Sequence, residues 1–381
     1  MALLLGGAIS LGSKEVARWQ YLNEAFDSEW GLGSAAAISA VAVAVTSLLL
    51  GRVIDRRDPR PFLMLALSLM AVGNLAVALV LIPGPISPAW VVFSSIIDGV
   101  AVGAWGVTLL KTQAAFVRPG AEGAAEIVNI LRLGIGGVIG GVLGGMSPDP
   151  TATLIVGSTL LLATVVGLRW VMRSITPRAS SRGRTGMVAV LGYLRRTSSL
   201  RDLVTIDLAL AFVIPTQVVN LVLVGMDAPQ VASLSITAGM VGVLVGRLGL
   251  TVIGFRGDPR RLLTIATVGL VVSQVVAAVA LTDGWLIKQL LVLPVIIIIG
   301  SIFSTYAQGV TASIIQQKVT EEHRGGLASI LVAGRSVLVS VAALGGAALA
   351  VAWGPQVFTA ALALGLIVLL AASRRFAAVP S

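Results

Sequence analysis

Residues 56–82 read RRDPRPFLMLALSLMAVGNLAVALVLI, and residues 256–282 read RGDPRRLLTIATVGLVVSQVVAAVALT. Each segment opens with a basic turn that contains Asp-Pro-Arg and continues as an apolar run. A helix needs roughly 20 apolar residues to cross the hydrocarbon core of a bilayer, and both runs reach that length. The two turns lie 200 residues apart in a chain of 381. We therefore predict a membrane protein whose two halves are duplicated.

The composition of the whole chain indicates the same class. Hydrophobic residues make up 56% of the chain, charged residues make up 12%, and the mean hydropathy is +0.98. So little polar surface cannot enclose a soluble core of this length, and the bilayer must act as the solvent. The apolar runs are unbroken, whereas a membrane barrel shows alternating strands of about ten residues. The absence of cysteine excludes disulfides, thiolate catalysis and thiolate metal sites.

Apolar runs of this kind follow one another along the chain. We predict an all-α membrane protein with twelve transmembrane helices in two pseudo-symmetric six-helix bundles. The predicted spans cover about residues 2–25, 33–51, 61–82, 88–111, 121–146, 151–172, 202–225, 229–253, 261–282, 285–310, 326–350 and 355–373. The N-terminal bundle is residues 1–172, a polar linker rich in Arg, Ser and Thr is residues 173–200, and the C-terminal bundle is residues 201–381. In transporters built from such repeats, the substrate site lies near the membrane midplane between the bundles.

Basic residues predict how the chain is oriented. They lie in every second gap between spans, whereas the other gaps carry mainly acidic residues. The basic gaps include Arg52, Arg56, Arg57, Arg60, Lys111, Arg118, Arg256, Arg260, Arg261, Lys318 and Arg324, together with the Arg-rich linker and the last residues of the chain. By the positive-inside rule both termini are cytoplasmic. The excess of Arg over Lys, with much Ala, Gly and Val, points to a bacterial inner membrane. The net charge of +10 is thus a topology signal, and no nucleic-acid partner is expected.

Charged residues inside the predicted spans are candidate substrate-binding or coupling groups. Each costs roughly 2.5–3.5 kcal/mol at mid-bilayer, so it usually faces a wet cavity or a partner. In span one, Lys14, Glu15 and Arg18 lie on one helical face. Glu15 and Arg18 are three residues apart, so we expect them to pair and to leave Lys14 as a net positive group.

Three further candidates lie in other spans. Asp98 is near the middle of span four, and Arg132 and Arg335 are a third to a half of the way into spans five and eleven. For each candidate the alternative is an internal ion pair that only holds helices together. We expect Asp98, Glu15 or both to change protonation during transport. Asp207, near the predicted cytoplasmic end of span seven, is expected at the membrane interface.

The turn before span three resembles a family signature. Residues 51–63, GRVIDRRDPRPFL, are similar to the G-x-L-A-D-R-x-G-R-K-x-x-L motif between the second and third helices of the major facilitator superfamily, with Asp58 and Pro59 as departures. An acid among basic residues at a helix end can pair with the other half in one conformation and release it in another. We therefore expect a gating turn, with a topogenic basic loop as the alternative. Its members are Gly51, Asp55, Arg56 and Arg60, with Asp258 and Arg260 in the duplicated turn.

Two further segments resemble exporters of this superfamily. Residues 316–325, QQKVTEEHRG, are similar to the V-P-x-x-x-R-G turn before helix eleven of drug-exporter-like members. Span five is similar to the antiporter signature G-x-x-x-G-P-x-x-G-G, with glycine in place of proline, at Gly136, Gly140, Gly141, Gly144 and Gly145. Small residues at this spacing let another helix approach closely, so plain packing is the alternative. In the family, helices five and eight pack across the two halves.

The resemblance implies a secondary active transporter that exports small amphiphilic molecules or drugs by alternating access, as an antiporter driven by a proton gradient. The second hypothesis is an importer, or a translocator of lipids or anionic metabolites, because Lys14, Arg132 and Arg335 suit an anionic group. An intramembrane enzyme needs converging acid-base or metal groups, and the sequence suggests none. We expect no catalytic residue, cofactor or metal. The expected partners are the lipid bilayer, a small-molecule substrate and the proton, and the expected state is a monomer.

Overall fold

A computed structural model of the protein describes most of the chain. The described residues are 2–26, 29–54, 58–82, 84, 87–116, 135–147, 149–173, 187–227, 229–253, 258–282, 286–319 and 321–373. Their regular secondary structure is entirely helical. In chain order the helices are α1 (Ala2–Ala25), α2 (Glu29–Ile54), α3 (Pro59–Leu81), α4 (Pro88–Phe116), α5 (Ile135–Met146), α6 (Pro150–Arg173), α7 (Met187–Arg196), α8 (Ser198–Asp227), α9 (Pro229–Ile253), α10 (Pro259–Thr282), α11 (Leu286–Lys318), α12 (Glu321–Trp353) and α13 (Pro355–Ser373).

Helices α1 to α6 and α8 to α13 coincide with the twelve predicted spans, so the predicted all-α architecture is confirmed. In the predicted fifth span, residues 121–134 lie outside the described residues. Within the described ranges, seven stretches are long and apolar enough to cross a bilayer by themselves. They are Gly33–Gly51, Pro59–Leu81, Pro88–Leu109, Pro150–Arg173, Arg260–Val279, Leu291–Ala312 and Ser329–Trp353. Their surfaces are also apolar, since Leu65, Val166 and Val279 are each more than half exposed. Such surfaces suit contact with lipid.

Proline marks the start of many of these helices. Six of them begin at Pro59, Pro88, Pro150, Pro229, Pro259 and Pro355. Proline suits the first helical position because its missing N–H would have no partner within the helix. Between α12 and α13, Gly354 has a φ of 81°, the left-handed conformation that favours glycine after a helix end. Glycine followed by proline therefore separates these two helices.

Several helices extend beyond the apolar runs from which the spans were predicted. Helix α11 ends at Lys318, not near residue 310, and α12 begins at Glu321, not near residue 326. The predicted turn at residues 316–325 is therefore mostly helical, and that prediction is wrong. Hydropathy detects only the part of a helix inside the hydrocarbon, whereas a helix that satisfies its own backbone groups can continue into water.

The predicted linker contains a helix, α7. Its residues Val190 and Leu194 are buried against Leu203 of α8 and Leu327 of α12. An amphipathic helix needs apolar residues on one face only, so a polar composition does not reveal it. The bounds of the two bundles and of the linker stay a prediction.

The two halves meet along α2 and α12. Toward one end, a methyl carbon placed on Gly33 would lie 2.6 Å from Ala347 Cβ. Toward the other end, a methyl carbon on Gly51 would lie 2.6 Å from Ser329 Oγ. At Gly33 the methyl carbon would also lie 2.9 Å from the carbonyl oxygen of Ala343, so the observed approach requires glycine there. At Gly51 the contact is with a serine hydroxyl, which can rotate away.

Candidate functional site

An ionic cluster of Lys14, Arg18 and Asp98 joins α1 to α4. Lys14 and Arg18 are four residues apart and therefore share a face of α1. Lys14 Nζ donates a hydrogen bond to Asp98 Oδ1, and Arg18 Nη1 donates to Asp98 Oδ2 at 2.8 Å. The Lys14 side chain is 3% exposed and the Asp98 side chain 12% exposed. Charges desolvated to this degree need such partners to remain ionised.

The ionic cluster forms one wall of a small pocket. The pocket volume is about 10 Å³, close to the room that one water molecule requires. The other lining residues come from α1, α3, α4 and α6, and they are Tyr21, Met70, Gly73, Asn74, Val77, Ser94, Ile97 and Leu154. The site therefore places buried charges against a largely apolar wall. In this conformation it is closed to a molecule much larger than water.

These contacts correct one prediction for span one. The sequence leaves Lys14 as a net positive group, which is wrong because Asp98 pairs with it. Arg18 binds Asp98, and Arg18 Nη2 lies 3.5 Å from Ser95 Oγ, whereas the expected pairing of Arg18 with Glu15 stays a prediction. Spacing along one helix cannot reveal a partner on another helix. The side chain of Glu15 lies outside the described residues, as does Arg132.

A second buried ion pair joins α8 to α12. Arg335 Nε donates to Asp207 Oδ2 at 2.9 Å, and Arg335 Nη2 donates to Asp207 Oδ1 at 2.6 Å. The Asp207 side chain is fully buried, whereas 35% of the Arg335 side chain is exposed. The Asp207 side chain thus packs inside the protein, and its expected depth near the membrane interface stays a prediction. Helix α8 starts at Ser198, which places Asp207 about 14 Å inside it at 1.5 Å per residue. The pair fits the alternative of an internal ion pair for Arg335.

The duplicated turns cap α3 and α10. Asp58 Oδ1 accepts from the backbone N–H of Arg60 at 3.0 Å, and Asp58 Oδ2 accepts from Arg60 Nε at 2.7 Å. The hydrogen bond from the Arg60 side chain lowers the pKa of Asp58 below its ordinary value. Asp258 repeats the cap, since its Oδ1 accepts from the backbone N–H of Arg260 at 3.1 Å.

One described contact of the turn before α3 lies within its own half. Arg60 Nη1 donates to the carbonyl oxygen of Met172 at 3.0 Å, and so ties α3 to α6. Gly51 is the member of the predicted gating turn that meets the other half, at Ser329 of α12. Asp55 and Arg56 lie outside the described residues. A gating role for the turn stays a prediction.

Comparison with known families decides the class of the protein. The sequence model of the Major Facilitator Superfamily matches residues 16–343, which include Arg18, Asp98 and the Asp207–Arg335 pair. The chain belongs to the major facilitator superfamily. Membership makes it a membrane transporter rather than an enzyme. No curated protein matches the sequence significantly.

Solved structures of the major facilitator superfamily share the fold over nearly the whole chain. FucP, described as a transporter of this superfamily in the outward conformation, has a TM-score of 0.70 at 13% identity, with 98% of this chain and 96% of FucP covered. A variant of the E. coli fucose:proton symporter FucP has a TM-score of 0.65 at 13% identity, with 98% and 97% covered. At this identity the likeness shows the fold of two six-helix bundles and nothing finer.

In this superfamily member, one glycine face of α5 packs on α1 of the same half. Gly136, Gly140 and Gly144 are buried there. A methyl carbon on Gly144 would lie 3.0 Å from the carbonyl oxygen of Ser13, and one on Gly140 would collide with the α1 backbone. These three glycines therefore permit the close approach of two helix backbones.

A second glycine face of α5 meets α9 of the other half. A methyl carbon on Gly137 would lie 3.2 Å from Met240 Sδ, and one on Gly141 would lie 3.1 Å from Thr237 Oγ1. The fifth and eighth spans thus adjoin across the halves, as the family resemblance implies. Gly145 is exposed, so nothing in its surroundings calls for glycine packing.

Asn74 is a pocket residue that sequence analysis missed. It lies on α3 and is 93% buried beside the ionic cluster. Its signal was available, because Asn74 is the single carboxamide of span three. Ser94 of the same pocket carries no comparable signal, since small hydroxyl residues are common in membrane helices.

Proposed function

We propose that this superfamily member is a proton-coupled secondary transporter that exports small amphiphilic molecules, and that Asp98 carries the coupling proton. The buried ionic cluster of Lys14, Arg18 and Asp98 is the observation that supports this proposal most. Each of these charges is costly at membrane depth, and such groups commonly mark ion or substrate pathways.

Protonation of Asp98 would change the balance of charge in the cluster. As a carboxylate it binds Lys14 and Arg18, whereas as a neutral acid it would leave two cations with a weaker partner. Weakening these two bonds makes the buried cations less favourable, so proton uptake favours a conformation in which water can hydrate them. Proton loss favours the closed pairing. A proton gradient can therefore bias a two-state conformational equilibrium through this one group.

Two features support export of amphiphiles. Span five resembles the antiporter signature of exporters, and its glycines lie at the contacts of α5 with α1 and with α9. The pocket wall beside the charges is largely apolar, with Met70, Val77 and Leu154. A substrate with an apolar body and a polar end suits such surroundings. The pocket is water-sized in the present conformation, so substrate access requires the halves to move.

A proton-coupled importer of polar or anionic metabolites, or a lipid translocator, is the second candidate. One observation favours import, because FucP is described as a fucose:proton symporter and shares the fold. The ionic cluster also offers two cations to an anionic group.

Transport in oriented vesicles distinguishes the two candidates. Inside-out vesicles with an acidic lumen are expected to accumulate ethidium, an amphiphilic cation, and a panel of toxic amphiphiles. The Asp98→Asn variant should lose this accumulation, whereas Asp149→Asn, which changes an exposed carboxylate, should keep it. Accumulation only in right-side-out vesicles under an inward proton gradient would instead support import and refute export.

The same proposal includes the placement of the chain. We propose a monomer in the bacterial inner membrane with both termini cytoplasmic, an N-terminal bundle over residues 1–172, a linker over 173–200 and a C-terminal bundle over 201–381. The cysteine-free sequence allows a single thiol to be placed in each turn. Thiols at residues 149 and 227 should react with an impermeant reagent outside the cell, and one at residue 57 should not. Reaction of all three on one side would refute this topology.

A further inference from the structure

Asn74 carries a buried donor for which the described residues offer no acceptor. Its side chain is 7% exposed, and Nδ2 has no hydrogen-bond partner in the described part of the chain. An unsatisfied buried amide is unfavourable, so it calls for a bound acceptor. Asn74 lines the same pocket as Asp98. The donor and the carboxylate that we propose to carry the proton therefore line one cavity.

The size of the pocket selects the acceptor. Its volume of about 10 Å³ matches one water molecule and is far too small for a drug-sized substrate. A buried water needs two to four polar partners. The pocket offers the amide of Asn74, the carboxylate of Asp98 and the hydroxyl groups of Tyr21 and Ser94. These groups can satisfy one water, with its oxygen accepting from Asn74 and its O–H donating to Asp98.

The ionisable groups around this position come from two of the helices that pack here. A third helix, α2, packs on α4 and contributes the hydroxyl group of Ser39, which hydrogen-bonds to Asp98 and does not titrate. Lys14, Arg18 and Tyr21 come from α1, and Asp98 comes from α4. The described pocket residues of α3 and α6 are Met70, Gly73, Asn74, Val77 and Leu154, and none of them titrates. Among these pocket residues, Asp98 is the only carboxylate, so it is the group that a water at Asn74 would serve.

We propose that Asn74 holds a water molecule against Asp98 and that this water exchanges the coupling proton with Asp98. The proposal rests on the proposed function for the role of Asp98. When a proton reaches this water, the water takes it up and passes one of its own protons to the carboxylate in the same step, so that it remains water. On release the transfer reverses: the carboxylic acid gives its proton to the water, which passes one proton on toward solvent in the same step. Asn74 thus acts as a positioning residue for the proton path.

The C-terminal half supplies a matched control. Gln274 follows Asn74 by 200 residues, the same displacement as the two Asp-Pro-Arg turns. Leu270 of α10 and Met70 of α3 are also buried at equivalent positions. Gln274 is 1% exposed, and its Nε2 likewise lacks a partner in the described structure. It does not line the pocket of the ionic cluster, so replacing it removes a buried carboxamide without touching Asp98.

Infrared difference spectroscopy detects the water without a substrate. The purified protein is compared in ordinary water and in heavy-oxygen water while Asp98 is titrated. In the wild type and in Gln274→Leu, we expect the carboxyl band of Asp98 to be accompanied by a water O–H band that heavy-oxygen water shifts. The Asp98→Asn variant should lose the carboxyl band. In Asn74→Leu the water band should be absent, and in Asn74→Ser, which keeps a hydroxyl donor, it should be partly retained. The same water band in Asn74→Leu would overturn the proposal.

A pH jump followed in the infrared tests the path. We expect the protonated carboxyl band of Asp98 to appear about tenfold more slowly in Asn74→Leu, the effect of losing one hydrogen bond to a charged relay. The rate in Gln274→Leu should equal that of the wild type. Equal rates in all three proteins would refute the role of Asn74. If Asp98 instead never protonates between about pH 4 and pH 9 in the wild type, the proposed function fails. The water site is then decided at constant pH, by whether a buried-water O–H band that heavy-oxygen water shifts is present in the wild type and absent in Asn74→Leu.

Discussion

Arg335 provides both described hydrogen bonds of Asp207, so the pair can be tested one residue at a time. Arg335→Met leaves a buried carboxylate without its partner, and breaking a buried pair in this way costs about 3–5 kcal/mol. We expect a large fall in the thermal midpoint of the detergent-solubilised protein. The double variant Asp207→Leu with Arg335→Met should recover most of the loss, since replacing both charges by apolar groups is nearly neutral.

The exposed Arg261 supplies the control for this experiment. Arg261→Met removes the same charge from the surface and should leave the midpoint almost unchanged. If Arg335→Met were as stable as Arg261→Met, the pair would contribute nothing. In that case the account of α8 and α12 would be wrong.

For individual residues, the sequence identifies the charged side chains inside the spans but does not show which residues pair with them. Asp98 and Arg335 are conspicuous because they interrupt apolar runs. Their partners depend on how helices pack, and Lys14 lies 84 residues from Asp98. A local rule pairs Arg18 with Glu15, and only the packing of α1 on α4 assigns Arg18 to Asp98. The uncharged Asn74 was missed although it is the single carboxamide of span three, and the sequence alone does not show that its amide lines the pocket of Asp98.

The helix caps permit a prediction at the scale of elements. Asp58→Ala removes the N-cap of α3 and the acceptor of Arg60, so we expect a loss of about 1 kcal/mol of stability at neutral pH. In the folded protein the hydrogen bond from Arg60 lowers the pKa of Asp58 below the ordinary value of an aspartic acid. The ionised carboxylate therefore stabilises the fold above that value, and its contribution disappears as the pH falls through the lowered pKa. Thermal melts of wild type and variant should converge in acid.

Asp258→Ala is the matched variant on α10. Asp258 is exposed and caps α10 by accepting from the backbone N–H of Arg260. At α3 the cap has an additional contact, because the Arg60 side chain that binds Asp58 also donates to the carbonyl oxygen of Met172 in α6. The loss for Asp258→Ala should be the smaller one. The Asp58–Arg60 ion pair contributes only modestly to the stability, since the Asp58 side chain is 36% exposed and solvent screens the charge. A stability difference at Asp58 that stays constant down to acid pH would contradict this explanation.

Alanine substitutions at two glycines of α5 should have different effects on the stability of the protein. A methyl group at Gly140 would meet the backbone of α1, so Gly140→Ala should destabilise by about 1–3 kcal/mol. Gly145 is exposed, so Gly145→Ala should be neutral or stabilising by up to about 1 kcal/mol through helix propensity. Thermal midpoints of the two variants measure this difference. A tolerated alanine at Gly140 would show that α1 and α5 are not packed as described.

Helix crossings explain why the sequence repeat is faint. In the N-terminal half the glycines at the crossing of α2 and α4 lie on α4, where a methyl carbon on Gly103 would be 2.8 Å from the carbonyl oxygen of Val43. In the C-terminal half the crossing of α9 and α11 has its glycine on α9, at Gly246 against Ile302. The crossing is repeated although the glycine has changed helices. Sequence similarity therefore survives only where a turn needs particular residues, as in Asp-Pro-Arg.

For the whole molecule, alternating access requires α2 and α12 to separate. Ser340 Oγ donates to the carbonyl oxygen of Ala37 at 3.2 Å across the halves. A disulfide between Ala37→Cys and Ser340→Cys should reduce transport below about a tenth, and reduction should restore it. The sequence has no other cysteine to interfere.

The control disulfide lies within one half. Ser10 Oγ donates to the carbonyl oxygen of Gly157 at 2.6 Å, and α1 and α6 need not separate. Ser10→Cys with Gly157→Cys should therefore keep activity when oxidised. Full transport with the α2–α12 crosslink in place would contradict the movement of the halves.

The twelve spans and their duplication could be predicted because the bilayer imposes length and apolarity on each helix. Charged residues and glycines in the sequence indicate which helix faces line a polar site or pack closely on another helix. The conformational state could not be predicted, since it depends on contacts such as Gly33 with Ala347 that only the packed halves show.

The central claim is that Asp98 couples proton movement to transport. The most direct test compares two activities of reconstituted Asp98→Asn in liposomes, using ethidium as the probe. Coupling predicts that uphill accumulation driven by a pH gradient is lost, whereas exchange of labelled for unlabelled probe at equal pH continues at a rate near that of the wild type. Uphill accumulation by Asp98→Asn at the wild-type level would contradict the claim.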